Sequence, residues 1–94
     1  MPDKKNILFM FADQMHAFAM GCMGTEDIHT PNLDQLAKEG VLFRNCYSNA
    51  PVCTPFRATL VSGQYGSQTD TLRNTAYIPD GTRTLAGALN EGGY

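Results

Sequence analysis

The sequence predicts an α/β fold, part of a mostly parallel sheet sandwiched by helices, and three stretches carry that expectation. Asn6-Ile7-Leu8-Phe9-Met10-Phe11-Ala12 is a continuous apolar run bounded by polar residues, the pattern of a strand buried on both faces. Thr30 to Gly40 carries the start, stripe and stop signals of a helix, and Val41 to Ser48 then reads as a second, less regular strand. Strand, helix and strand in that order join parallel neighbours by a right-handed crossover, which brings the ends of both strands to one rim.

A chain of 94 residues makes at most one domain with a modest core. Its formal net charge of −2, without a Lys/Arg cluster, argues against nucleic acid or an anionic membrane as the main partner. The longest apolar run, Ile7 to Ala12, is too short to span a bilayer, and Asp3-Lys4-Lys5 precedes it too closely for a signal peptide. As written, the chain begins like a mature or cytoplasmic protein; periplasmic or secreted and cytoplasmic locations both stay open. Cys22, Cys46 and Cys53 form no C-x-x-C pair, and their odd number favours buried free thiols over a Cys22–Cys46 disulfide. His16 and His29 lack the spacing of a zinc pair.

The first predicted strand ends abruptly at Asp13-Gln14. Ligands of open α/β sheets bind beyond the carboxyl ends of the strands, so a carboxylate there is placed for chemistry. Met15 to Gly24, rich in Met, Ala, Phe and Gly, reads as a partly helical loop whose methionines fill core space. Within it His16 has two readings, a structural histidine or one that reaches a substrate. In the helix that follows, Thr30 is the expected N-cap, Pro31 takes the first position, Leu33, Leu36 and Ala37 make an apolar stripe, and Gly40 stops it.

Cys53-Thr54-Pro55-Phe56-Arg57-Ala58-Thr59-Leu60-Val61-Ser62-Gly63 holds most of the chemical information. Pro55 needs no N–H in a first helical turn and its φ is already helical, Ala58 and Leu60 continue the helix, and Gly63 is a left-handed stop. Residue 53 therefore falls at or just before a helix N-terminus, where free N–H groups and the macrodipole favour an anion. Arg57 lies one turn further on, within reach of that site. Beyond it come an irregular loop from Gln64 to Asn74, a turn at Ile78-Pro79-Asp80-Gly81, and a short helix capped by Thr84 and closed by Gly92-Gly93. Arg73 and Asn74 either face a substrate pocket or hold the loop.

The C-x-P-x-R segment continued to Ser62-Gly63, the N-I-L-F-M-F-A-D-Q opening and the T-P-N-L-D-x-L-A-x-E-G helix together resemble the sulfatase family of the alkaline-phosphatase superfamily. The resemblance covers essentially the whole chain and corresponds to the N-terminal portion of the catalytic domain, an incomplete one. It implies an alkaline-phosphatase-like fold and a sulfuric ester hydrolase acting on a small-molecule or carbohydrate sulfate ester. It also implies that a formylglycine-generating enzyme reads Cys53, Pro55 and Arg57 in the unfolded chain and oxidises Cys53 to an aldehyde. One hydroxyl of the aldehyde hydrate attacks sulfur, and the second expels sulfate.

By the same resemblance Asp13, Gln14 and residue 53 bind a divalent cation, most commonly Ca²⁺, and Arg57 stabilises the hydrate and the metal site. Gln14 stands where many members carry a second aspartate; its carbonyl oxygen can bind a hard cation but brings no charge. A histidine that many members place near Ser67 is absent. The lysine and histidine that hold sulfate and the Asp with Asn or His that completes the metal shell lie further along in the family, so these residues alone are expected to be inactive. Two alternatives stay open: a phosphonate monoester or phosphodiester hydrolase sharing the same nucleophile motif and Asp-Gln opening, and a non-catalytic relative in which Cys53 remains a thiol.

Overall fold

The computed structural model describes residues 4–94, so Asp3 of the charged start lies outside the described residues. The chain forms two compact units, one ending at Arg44 and one spanning Asn45–Tyr94. A 3-10 turn at Gly21–Met23 is followed by α1 (Pro31–Glu39), α2 (Cys53–Ser62), α3 (Gly66–Thr69) and α4 (Leu85–Glu91). No helix among the described residues is long and apolar enough to cross a membrane.

α1, α2 and α4 match the sequence expectation, α3 forms inside the stretch from Gln64 to Asn74 that the sequence reads as an irregular loop, and the two expected strands do not form. Among the described residues no strand is present, and residues 6–12 and 41–48 carry no ladder. A strand exists through backbone hydrogen bonds to a neighbour, and an apolar segment without one has no means of satisfying that pattern. Its side chains stay in contact with solvent: Leu8 is 80% exposed, and Val41, Phe43 and Tyr47 are exposed as well. The Phe9 and Phe11 rings still approach to 5.7 Å between centroids, as residues two apart do when they share one face of an extended chain. The missing ladder also leaves Cys46 exposed where a buried thiol was expected; all three cysteines are free.

The first unit is organised by a polar knot between the 3-10 turn and α1. Thr30 occupies the N-cap position, but its hydroxyl does not cap the helix it starts. It accepts from the Gly21 N–H at 2.9 Å and donates to Asp34 Oδ1 at 2.8 Å, and the same carboxylate oxygen accepts from the Cys22 N–H at 2.7 Å. The approach is close enough to require glycine: a Cβ on Gly21 would sit 2.6 Å from Asp34 Oδ2 and 3.0 Å from the Ile28 carbonyl. Gly40 ends α1 through its N–H to the Leu36 carbonyl at 2.9 Å, but with φ of −111° in place of the expected left-handed conformation.

In the second unit α2 packs against α3 and α4. Pro55 and Ala58 are its buried residues, and the absence of bulk at Ala58, 1% exposed, allows a near approach. The chain leaves α3 through Asp70 in the left-handed region (φ 52°) so that the Thr71 N–H reaches the Gly66 carbonyl at 2.9 Å. Thr84 caps α4 as expected, its hydroxyl accepting from the Gly87 N–H at 3.2 Å. The turn at 78–81 also forms, with Gly81 at φ 80° and the Thr82 N–H on the Pro79 carbonyl at 3.2 Å.

The polar knot gives the first prediction. Asp34→Ala removes acceptors for the Thr30 hydroxyl and the Cys22 N–H. It is expected to destabilise the whole protein by about 1–3 kcal/mol, read as a lowered urea midpoint, whereas Asp34→Asn retains most of the stability.

Candidate active site

The backbone fixes the start of α2 at Cys53. Val52 is extended (φ −132°, ψ 142°), and the Phe56 N–H donates to the Val52 carbonyl at 2.9 Å, closing the first turn. Cys53 therefore occupies the first helical position with its side chain exposed, and Pro55 the third. Arg57 follows one turn later and is half-buried. At the other end Gly63 adopts φ 69°, donates to the Thr59 carbonyl at 2.8 Å and stops the helix as the sequence predicts. The Ser62 hydroxyl reinforces that end, donating to the Ala58 carbonyl at 2.6 Å and accepting from the Gln64 N–H at 3.2 Å.

Thr54, the residue after Cys53, is held from the distant loop. Its N–H donates to Asn74 Oδ1 at 2.9 Å, and its hydroxyl donates to the Asn74 carbonyl at 3.2 Å. Pro55 has no N–H, so Asn74 satisfies one of the few donors that this helix start presents. Of the two readings of Asn74 in the sequence, the loop-holding one describes these contacts. No local signal marks a cap supplied from 20 positions downstream.

Asp13 and Gln14 lie in the first unit, at a turn directly after the apolar segment, and both are exposed. Gln14 adopts φ 51°, a left-handed conformation that costs a non-glycine residue about 1–2 kcal/mol. Such outliers concentrate at functional sites, where the surroundings hold a residue against its preference. His16 is fixed locally: Nδ1 accepts from the Phe18 N–H at 3.1 Å, and its ring lies 5.4 Å from that of Phe18. The Nδ1 atom is thus an acceptor, which places the proton of the neutral ring on Nε2.

The structure brings Cys53, Pro55 and Arg57 together on one helix and Asp13 beside Gln14 on one turn. Among the described residues no group of three or more His, Cys, Asp or Glu side chains is placed to hold a metal ion. The oxygen donors of Asp13 and Gln14 nonetheless suit a hard divalent cation, which takes six or more such ligands, about three times what these two side chains provide singly. In the second unit a cavity of about 400 Å³ lies along α2 between Tyr47, Phe56, Leu60 and Tyr65, and neither Cys53 nor Arg57 lines it.

Comparison with known proteins agrees with the motif. The sulfatase family model matches residues 5–94, and the chain belongs to the sulfatase family. An ulvan-active sulfatase of Formosa agariphila is 41% identical over 93 residues, which cover 99% of this chain and 18% of that protein. Arylsulfatase D of Homo sapiens is 33% identical, with 97% of this chain and 17% of its own length covered. The choline-sulfatase of Rhizobium meliloti is 35% identical, with coverages of 97% and 18%. The chain thus spans less than a fifth of the length of these curated relatives. No solved structure matches.

Two glycines around the end of α2 separate conformational cost from collision. A Cβ at Gly63 meets nothing within 4 Å, so Gly63→Ala carries only the left-handed penalty, about 1 kcal/mol. A Cβ at Gly66 would lie 2.7 Å from the Thr71 carbonyl oxygen, a backbone atom. Gly66→Ala is therefore expected to lower the urea midpoint of the whole protein more than Gly63→Ala does, and the reverse order would contradict this account.

Proposed function

We propose that this chain is the N-terminal portion of a sulfatase catalytic domain, and that the whole protein hydrolyses a sulfate ester on a sugar, aryl or small alcohol group. The observation that carries the reading is the exposed side chain of residue 53 at the first position of a ten-residue helix, with Pro55 and Arg57 in register behind it. The relatives named for ulvan and choline support a carbohydrate or small alcohol ester as the substrate class.

In this reading Cys53 is converted to formylglycine by a formylglycine-generating enzyme, which supplies a hydrated aldehyde as nucleophile. Asp13, Gln14 and residue 53 hold a divalent cation, Ca²⁺ by the oxygen character of the donors; when bound, it polarises oxygen and favours the ionised hydroxyl. The remaining work belongs to the chain itself. The start of α2 presents residue 53 at the positive end of the helix dipole, where a developing negative charge is stabilised. Arg57, one turn on, adds a planar cationic fork suited to a tetrahedral oxyanion and to the hydrate. Pro55 stiffens the turn between them, so the offset between nucleophile and guanidinium is set before substrate arrives.

Gln14 favours one second reading, hydrolysis of a phosphonate monoester or phosphodiester, because the neutral amide lowers the negative charge of the metal shell relative to a second aspartate. Turnover of an aryl sulfate against an aryl phosphonate by the whole protein separates the two, with the sulfate expected to be faster.

The decisive measurement is the mass of the peptide containing residue 53 from the whole protein in its native host. Exchange of sulfur for an aldehyde oxygen is expected, with loss of turnover in Cys53→Ala; an unmodified thiol in an active protein overturns the mechanism and an unmodified thiol in an inactive one points to a binding role. For the metal, Gln14→Asp adds a carboxylate and tolerates a left-handed φ better than glutamine does. Calcium titration by calorimetry should show tighter binding, by about tenfold. Unchanged affinity would remove Gln14 from the ligand set.

A further inference from the structure

We infer that Asn74 is a positioning residue for the nucleophile, acting through Thr54, and this rests on the sulfatase reading above. Asn74 engages the residue next to the nucleophile at two points, its side-chain oxygen on the Thr54 N–H (2.9 Å) and its carbonyl on the Thr54 hydroxyl (3.2 Å). Two bonds from one residue to one residue fix direction as well as distance, and they grip one backbone N–H and one side-chain hydroxyl in the first turn of α2. At that turn Val52 offers no side-chain cap and Pro55 contributes no donor.

The loop bearing Asn74 is itself anchored on either side. Thr71 is fully buried, and its hydroxyl lies 3.2 Å from the Thr69 carbonyl and 3.4 Å from that of Tyr77. The Ala76 N–H donates to the Arg73 carbonyl at 3.0 Å, closing a turn directly over residue 74. The Thr71 N–H returns to Gly66, where no side chain fits. A continuous path of short contacts therefore runs from α3 through the loop to the start of α2. Its effect is to hold the peptide unit between residues 53 and 54 still while the side chain of 53 remains exposed. Placement errors of about 1 Å at a reacting group cost on the order of 100-fold in rate.

The modifying enzyme reads the motif before the chain folds, so a clamp made in the folded state should affect turnover and leave conversion alone. The test compares the whole protein with Asn74→Leu, which removes the acceptor at similar volume, and Asn74→Asp, which keeps an oxygen at that atom. The readouts are the formylglycine content of the residue 53 peptide, hydrogen exchange of the Thr54 amide, and kcat and KM on an aryl sulfate. Asn74→Leu is expected to retain full conversion, to exchange the Thr54 amide about tenfold faster, and to lose ~10- to 100-fold in kcat with little change in KM. Asn74→Asp should restore slow exchange and most of kcat. If the wild-type protein turns over and Asn74→Leu keeps its kcat, the positioning role falls while the sulfatase reading stands. A joint loss of conversion and kcat that Asn74→Asp does not restore marks a folding residue and also overturns it. A wild-type protein that hydrolyses no sulfate ester brings down the functional reading first, and the positioning role with it.

Discussion

The start of α2 at residue 53 is the constraint on which the second unit depends. An extended Val52, a first turn closed from Phe56 to Val52, and a proline whose φ is fixed leave the helix one register in which to begin. Gly63 in the left-handed region leaves it one place to end. With both ends set by backbone chemistry, the offset of one turn between Cys53 and Arg57 follows directly, and so does the face through which Pro55 and Ala58 are buried. The packing of α3 and α4 against α2 is then a matter of meeting a surface already in place.

The two units achieve order in different ways. The first relies on a polar knot in which one carboxylate and one hydroxyl collect the N–H groups of Gly21 and Cys22. Around it the apolar stripe of α1 remains exposed at Leu33 and Leu36. The second relies on close approach of small residues: among the described residues Ala58 is the buried hydrophobic one, and the buried polar ones are Thr69 and Thr71. Neither is a large apolar core of the kind that dominates the stability of ordinary domains. Exposed Ile7, Leu8, Phe9 and Met10 therefore represent hydrophobic area that is available for burial against a neighbour and not yet used.

The site has a corresponding division. Cys53, Pro55 and Arg57 are arranged by one helix, so their geometry is local and belongs to the shortest contacts of the chain. Gln14 adopts its left-handed backbone at a turn directly after an apolar run. The contribution of Asn74 is of another kind, because it closes a contact across 20 positions and acts on backbone rather than on a reacting atom. A helix start without its own capping side chain is where such a distant residue has the most influence.

Much of this was legible in the residues alone, for a physical reason. Helix starts and stops depend on the neighbours within a turn, and Pro31, Pro55, Gly63 and Thr84 act within that range, so the sequence determined α1, α2, α4 and the register of Cys53 with Arg57. The family followed from the same motifs. Tertiary structure decided what depends on partners far along the chain. The apolar segments at 6–12 and 41–48 have the composition of strands, yet strand formation needs a second backbone that composition does not supply, and no ladder forms. Thr30 had the grammar of a helix cap, but the Gly21 N–H and Asp34 took its hydroxyl because they came closer in space. Asn74 at Thr54 was likewise fixed only by the folded path of the loop, since no rule of local spacing relates a residue to a hydrogen-bond partner 20 positions away.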